Sequence, residues 1–128
     1  MGSQSYRDLL VWQKSIALCK QVYKVCETFP KSELYGLADQ MKRAAVSISS
    51  NIAEGQARQH VGEFLHFLSM ANGSLAELDT QRIIVEQLQF ISPESSAHLD
   101  ADITEIRKML YALSGKLKAG ISKLKTIN

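Results

Sequence analysis

Apolar residues recur along most of this chain at the three- and four-residue steps of an α-helix, and no stretch alternates as a strand does. Leu9, Trp12, Ile16, Cys19, Tyr23 and Cys26 form a heptad seam, which predicts a first helix over about residues 8–29. Val11, Leu18, Val22, Val25 and Phe29 form a second seam, displaced by about 110° round the same helix. An apolar arc that broad exceeds what one core needs, so it predicts a second buried side in an oligomer interface. Phe29-Pro30 ends the helix, and Ser32 is the expected N-cap of the next.

Helix two is predicted over about residues 33–58, with Leu37, Met41, Ala44, Ile48 and Ile52 towards the core and Gly55 marking its end or a break. Helix three, over about residues 61–90, carries Val61, Phe64, Leu68, Ala71, Leu75 and Leu78, with Val85 and Leu88 on a neighbouring seam. Gly73 lies in its middle, where close approach of a neighbouring helix is the expected compensation for a weak helix former. Ser92 and Pro93 then form a start signal for helix four, over about residues 93–118. Its heptad, Leu99, Ile103, Ile106, Leu110, Leu113 and Leu117, is the most regular in the chain. Four long helices with short connections predict an all-α, antiparallel, up-down-up-down four-helix bundle in one domain over residues 1–128.

Composition narrows the class. With 128 residues, 45% hydrophobic and 22% charged, the chain is long enough to bury a core without disulfides or metal. Cys19 and Cys26 are about 10.5 Å apart along one helix, too far to bridge. The N-terminus has no secretory pattern and no apolar run approaches membrane length, so a cytoplasmic protein without a membrane partner is expected. The net charge of +2 is unevenly spread, at +3 for residues 1–31, 0 for 32–58, −7 for 59–105 and +6 for 106–128. The basic and acidic segments are suited to attract each other across a bundle or between subunits, or to stand as solvated faces.

Candidate chemistry falls in three places. On helix two, Arg43, Ser47, Ser50, Asn51, Glu54 and Arg58 share a polar stripe beside small residues. It reads as a hydrogen-bonded interface, with Glu54 and Arg58 as an i, i+4 pair. The alternative is a small-ligand or anion site within an oligomer. Glu63 and His66 form one ExxH, but a di-iron bundle needs two such motifs and two further carboxylates, so no metal, cofactor or catalytic set is expected. At the basic end, Arg107, Lys108, Lys116, Lys118, Lys123 and Lys125 are candidates for phosphate contacts with nucleic acid.

"LLVWQKS" at Leu9–Ser15, "FPKSELYGLADQMKRAAVSISSNIAEG" at Phe29–Gly55 and "EFLHFLSMANGSLAELDTQ" at Glu63–Gln81 resemble the four-helix bundle family of the 23S ribosomal RNA intervening-sequence proteins. The resemblance implies a left-handed bundle assembled as a homopentamer round a central channel. Ser49 stands where that family commonly has Pro, which predicts a less kinked helix two. A related branch, the accessory variability determinant of diversity-generating retroelements, partners a reverse transcriptase and binds nucleic acid through a basic surface. The expected function is therefore a non-enzymatic oligomeric interaction scaffold whose partners are copies of itself and an RNA or a nucleic-acid enzyme.

Overall fold

A computed structural model describes the backbone of residues 5–127 and the side chains of residues 5–121. The described residues form four α-helices and no strand: α1 Leu10–Cys26, α2 Leu37–Ala57, α3 Val61–Gln87 and α4 Pro93–Ile127. Each helix packs on two neighbours, α1 and α3 both lying against α2 and α4. A short 3-10 helix, Tyr6–Asp8, precedes α1 and rests on α1 and α2.

The helix ends depart from the periodic pattern where local bonding competes with it. α1 stops at Cys26 rather than near 29, because its last turn tightens: Thr28 N–H donates to Val25 O (3.1 Å) and Phe29 N–H to Cys26 O (3.1 Å). α2 begins at Leu37 rather than 33. Ser32 caps nothing, since it lies inside a 3-10 turn, Lys31–Glu33, opened by Glu33 N–H donating to Pro30 O at 2.9 Å; Gly36 holds the N-cap position without a side-chain bond. α3 ends at Gln87, earlier than about 90, in a Schellman turn: Gln89 has φ 63°, Phe90 N–H donates to Val85 O (2.9 Å) and Gln89 N–H to Glu86 O (3.0 Å). Gln59 holds a similar left-handed position (φ 60°) after α2. Ser92 Oγ accepts from Ser95 N–H (3.1 Å), so Ser92 caps α4 with Pro93 as its first residue. α4 runs on to Ile127, past the expected end near 118.

Val11, Leu18 and Val22 of α1 meet Met41, Ile48 and Ile52 of α2, Leu68, Leu75 and Leu78 of α3, and Leu99, Ile103 and Ile106 of α4 in one buried cluster. On α1 the second seam therefore faces the core, and of the heptad seam only Cys26 is buried there, with Leu9, Trp12 and Cys19 packed at its edge. Ile16 is 36% and Tyr23 44% exposed, while Trp12 and Cys19 are half-buried. Ser15 interrupts the core seam yet is buried, because its hydroxyl donates to the Val11 carbonyl at 2.7 Å and needs no outside partner. Val61 and Leu88, expected in the core of α3, are exposed.

Gly55 takes the role expected of Gly73. α2 passes through Gly55 without a break, and a Cβ there would lie 2.6 Å from Phe67 Cβ and 3.1 Å from Phe64 Cδ1. Gly55 is thus where α3 comes close. At Gly73 nothing lies within 4 Å, so no neighbouring helix explains it. Ser49 leaves α2 continuous, its hydroxyl donating to Val46 O at 3.2 Å.

Candidate nucleic-acid interface

The polar stripe of α2 turns towards α3. Ser47 and Ser74 hydroxyls share a hydrogen bond of 2.9 Å, and Asn51 Nδ2 donates to Ser47 O (2.8 Å) and Ser47 Oγ (3.0 Å). Glu54 pairs with Arg58 at 3.1 Å, and Arg58 reaches Glu63 of α3 at 3.6 Å with its guanidinium 5.2 Å from the Phe67 ring centre. Ser47 and Arg58 therefore contact α3, while Asn51 and Glu54 hold those two from within α2. Arg43 and Ser50 do neither: Arg43 is largely exposed and meets only Asp39, at 3.5 Å, and Ser50 is exposed. The ion pairs of the stripe are about half-exposed, which limits each to a fraction of a kcal/mol, about 0.2–1.

Charge ties α3 to α4 around Asp79 and Arg82. Arg82, 12% exposed, meets Asp79 (2.9 Å), Asp100 (3.4 Å) and Glu86 (3.7 Å), and donates to Ser96 Oγ at 2.9 Å. The single cation of the acidic segment thus sits among its carboxylates. Among the described residues no group of three His, Cys, Asp or Glu is placed to hold a metal ion, and no helix is long and apolar enough to cross a membrane. Burial raises the Cys19 thiol above its ordinary pKa, and pushes Cys26 up to about 11 against a smaller opposite pull from Lys42.

The basic end divides. Arg107 contacts Asp79 at 3.5 Å, which links the basic and acidic segments within one chain. Lys108, Lys116 and Lys118 are exposed and make no ion pair among the described residues. Lys123 and Lys125 lie outside the residues whose side chains are described. Arg107 and Lys118 border a groove of about 360 Å³ between α3 and α4, together with Tyr111, Ser114, Ser69 and Asn72. Tyr111 was missed by reading charge alone. The signal for it is spacing: Arg107, Tyr111, Ser114 and Lys118 follow at steps that keep them on one helix face. A second and wider groove, about 1540 Å³, runs along α1 past Cys19, Tyr23 and Val25 to Val46 and Phe90, beside the seam left outside the core.

The model of the 23S rRNA-intervening sequence protein family matches residues 7–112. Among solved structures, the chain is similar to a crystal structure of a protein with unknown function from the S23 ribosomal protein family of Bacteroides thetaiotaomicron. The TM-score is 0.77 at 22% identity, over 82% of this chain and 98% of that one. A search among curated proteins finds no match.

Proposed function

Since the chain belongs to the 23S rRNA-intervening sequence protein family, we propose that it is a non-enzymatic, cytoplasmic scaffold that assembles with copies of itself and binds RNA through the basic end of α4. The observation that carries the RNA reading is the charge of this segment: residues 106–128 hold six cations and no carboxylate. Lys108, Lys116 and Lys118 stand exposed there without a partner among the described residues. Cations held in this way are free to displace the counterions of a phosphate chain. Binding of structured RNA to the full chain, measured across a range of salt, is expected to weaken linearly in log–log form. Absence of binding at low salt, or affinity that does not change with salt, overturns the reading.

The bundle follows an antiparallel, up-down-up-down, left-handed course in this proposal. Contacts between neighbours support the antiparallel part. Lys14 meets Glu105 while the later Gln21 meets the earlier His98; Cys26 meets Ala38 while the earlier Tyr23 meets the later Lys42. Assembly is a homopentameric ring. A ring is built from two different faces, one on each side of the subunit. Support comes from exposed apolar side chains on both α1 (Ile16, Tyr23) and α3 (Met70, Ile83, Ile84), helices that pack on the same two neighbours.

A further inference from the structure

The groove between α3 and α4 differs in chemistry from the surface round it. Residues 59–105 carry eight carboxylates, yet none of them lines this groove. Its floor includes the buried side chains of Leu68 and Leu110. Its rim holds two cations, Arg107 and Lys118, with Tyr111 between them.

Tyr111 is 83% exposed, so its ring does little for the core. Ser69, Asn72 and Ser114 line the groove and make no side-chain hydrogen bond among the described residues, so their donors and acceptors are free for a ligand. Arg107 is held towards α3 by one contact with Asp79 at 3.5 Å, and both partners are partly exposed. A phosphate is able to compete with such a pair.

We propose that this groove seats one unpaired nucleotide of an RNA strand. The Tyr111 ring stacks on the base, Arg107 and Lys118 hold phosphates further along the strand in its two directions, and Ser69, Asn72 and Ser114 face the base edge. Charge complementarity selects a polyanion, and the exposed ring between the cations selects one that carries flat apolar faces. Size selects a single base over a duplex, because about 360 Å³ is near the lower end of ligand pockets, about 300–1,000 Å³. The two cations are separated by about 16.5 Å along the helix axis, more than one phosphate interval of an extended strand, so they meet phosphates that are not adjacent. Structured RNA presents unpaired bases of this kind in loops and bulges. Ser114 and Lys118 lie beyond the family match, which ends at 112, and the other lining residues lie within it. The inference rests on the RNA reading above and adds where the strand lies and in what form.

The test is fluorescence anisotropy of the full chain with a short labelled oligoadenylate and with a short labelled RNA duplex. Tyr111→Ala is expected to weaken oligoadenylate binding about tenfold, to leave duplex binding unchanged and to leave the helical circular dichroism intact. Tyr111→Phe keeps the ring and is expected to bind like wild type. Arg107→Gln and Lys118→Gln are each expected to lower the salt slope for the oligoadenylate by about 0.7. Oligoadenylate binding by Tyr111→Ala equal to wild type, or an equal loss on both probes, overturns the stacking site while the RNA reading stands. Binding of neither probe by wild type overturns both.

Discussion

At Gly55 a single methyl group would lie 2.6 Å from Phe67 Cβ, nearer than packed carbon atoms approach. Gly55→Ala must therefore push α3 away or bend it, and is expected to destabilise the fold by about 1–3 kcal/mol in urea unfolding. Gly73 is a glycine inside a helix with open space around it and no positive φ, so Gly73→Ala is expected to stabilise by up to about 1 kcal/mol. The two residues look alike in the sequence, and only the neighbour across the helix interface separates them. Cys26 provides a prediction in pH. Burial raises its thiol from 9.0 to about 11, so the unfolded chain releases this proton first as pH rises. The stabilisation is complete below about pH 9 and is lost as pH climbs through about 11, a difference of about 2–3 kcal/mol for this one group. Urea unfolding at pH 8 and pH 11 should show the advantage of wild type over Cys26→Ala shrinking by that order.

Elements differ in how openly the sequence announces them. α4 begins where Ser92 and Pro93 place it, because the cap is a local bond and depends on nothing distant. Ser92→Ala is expected to cost about 1 kcal/mol, read as a lowered urea midpoint with unchanged slope. α2 ends at Ala57, close to the expected 58, whereas the end of α3 is less open to the sequence, since the left-handed position after it holds Gln89 where Gly or Asn is the usual marker. The seams of α2 and α4 largely match their buried faces, because each has one dominant apolar stripe, whereas α3 is apolar round much of its surface and leaves Met70, Ile83 and Ile84 exposed. α1 has two of similar strength, and the one interrupted by Ser15 is the one in the core. A buried serine that bonds its own helix is invisible to a count of apolar positions.

For the whole molecule, the seam left on the outside of α1 has a consequence. Ile16→Glu with Tyr23→Glu places two charges on partly exposed positions, where the fold tolerates them, and on the face proposed for assembly. Wild type is expected to sediment at low micromolar concentration as a multiple of its 14.2 kDa mass, and the double variant as a monomer with unchanged helical content. A wild-type chain that sediments at 14.2 kDa refutes self-assembly. Charge is partitioned at the same scale. Asp79 engages Arg82 and Arg107, which partly offsets the charge of the basic end and leaves Lys108, Lys116 and Lys118 without a carboxylate partner among the described residues. The sequence alone determined four helices, the start of α4, the core faces of α2 and α4 and the basic character of the last segment. These follow from periodicity, local capping and charge count, which are properties of one stretch of chain. Tertiary structure decided which seam of α1 is buried, that Gly55 is the point of contact, that Ser47, held by Asn51 of its own helix, bonds α2 to Ser74 of α3, and that Tyr111 stands between two cations beside α3. Each of these depends on what lies opposite, and periodicity gives the direction of a face without naming its neighbour.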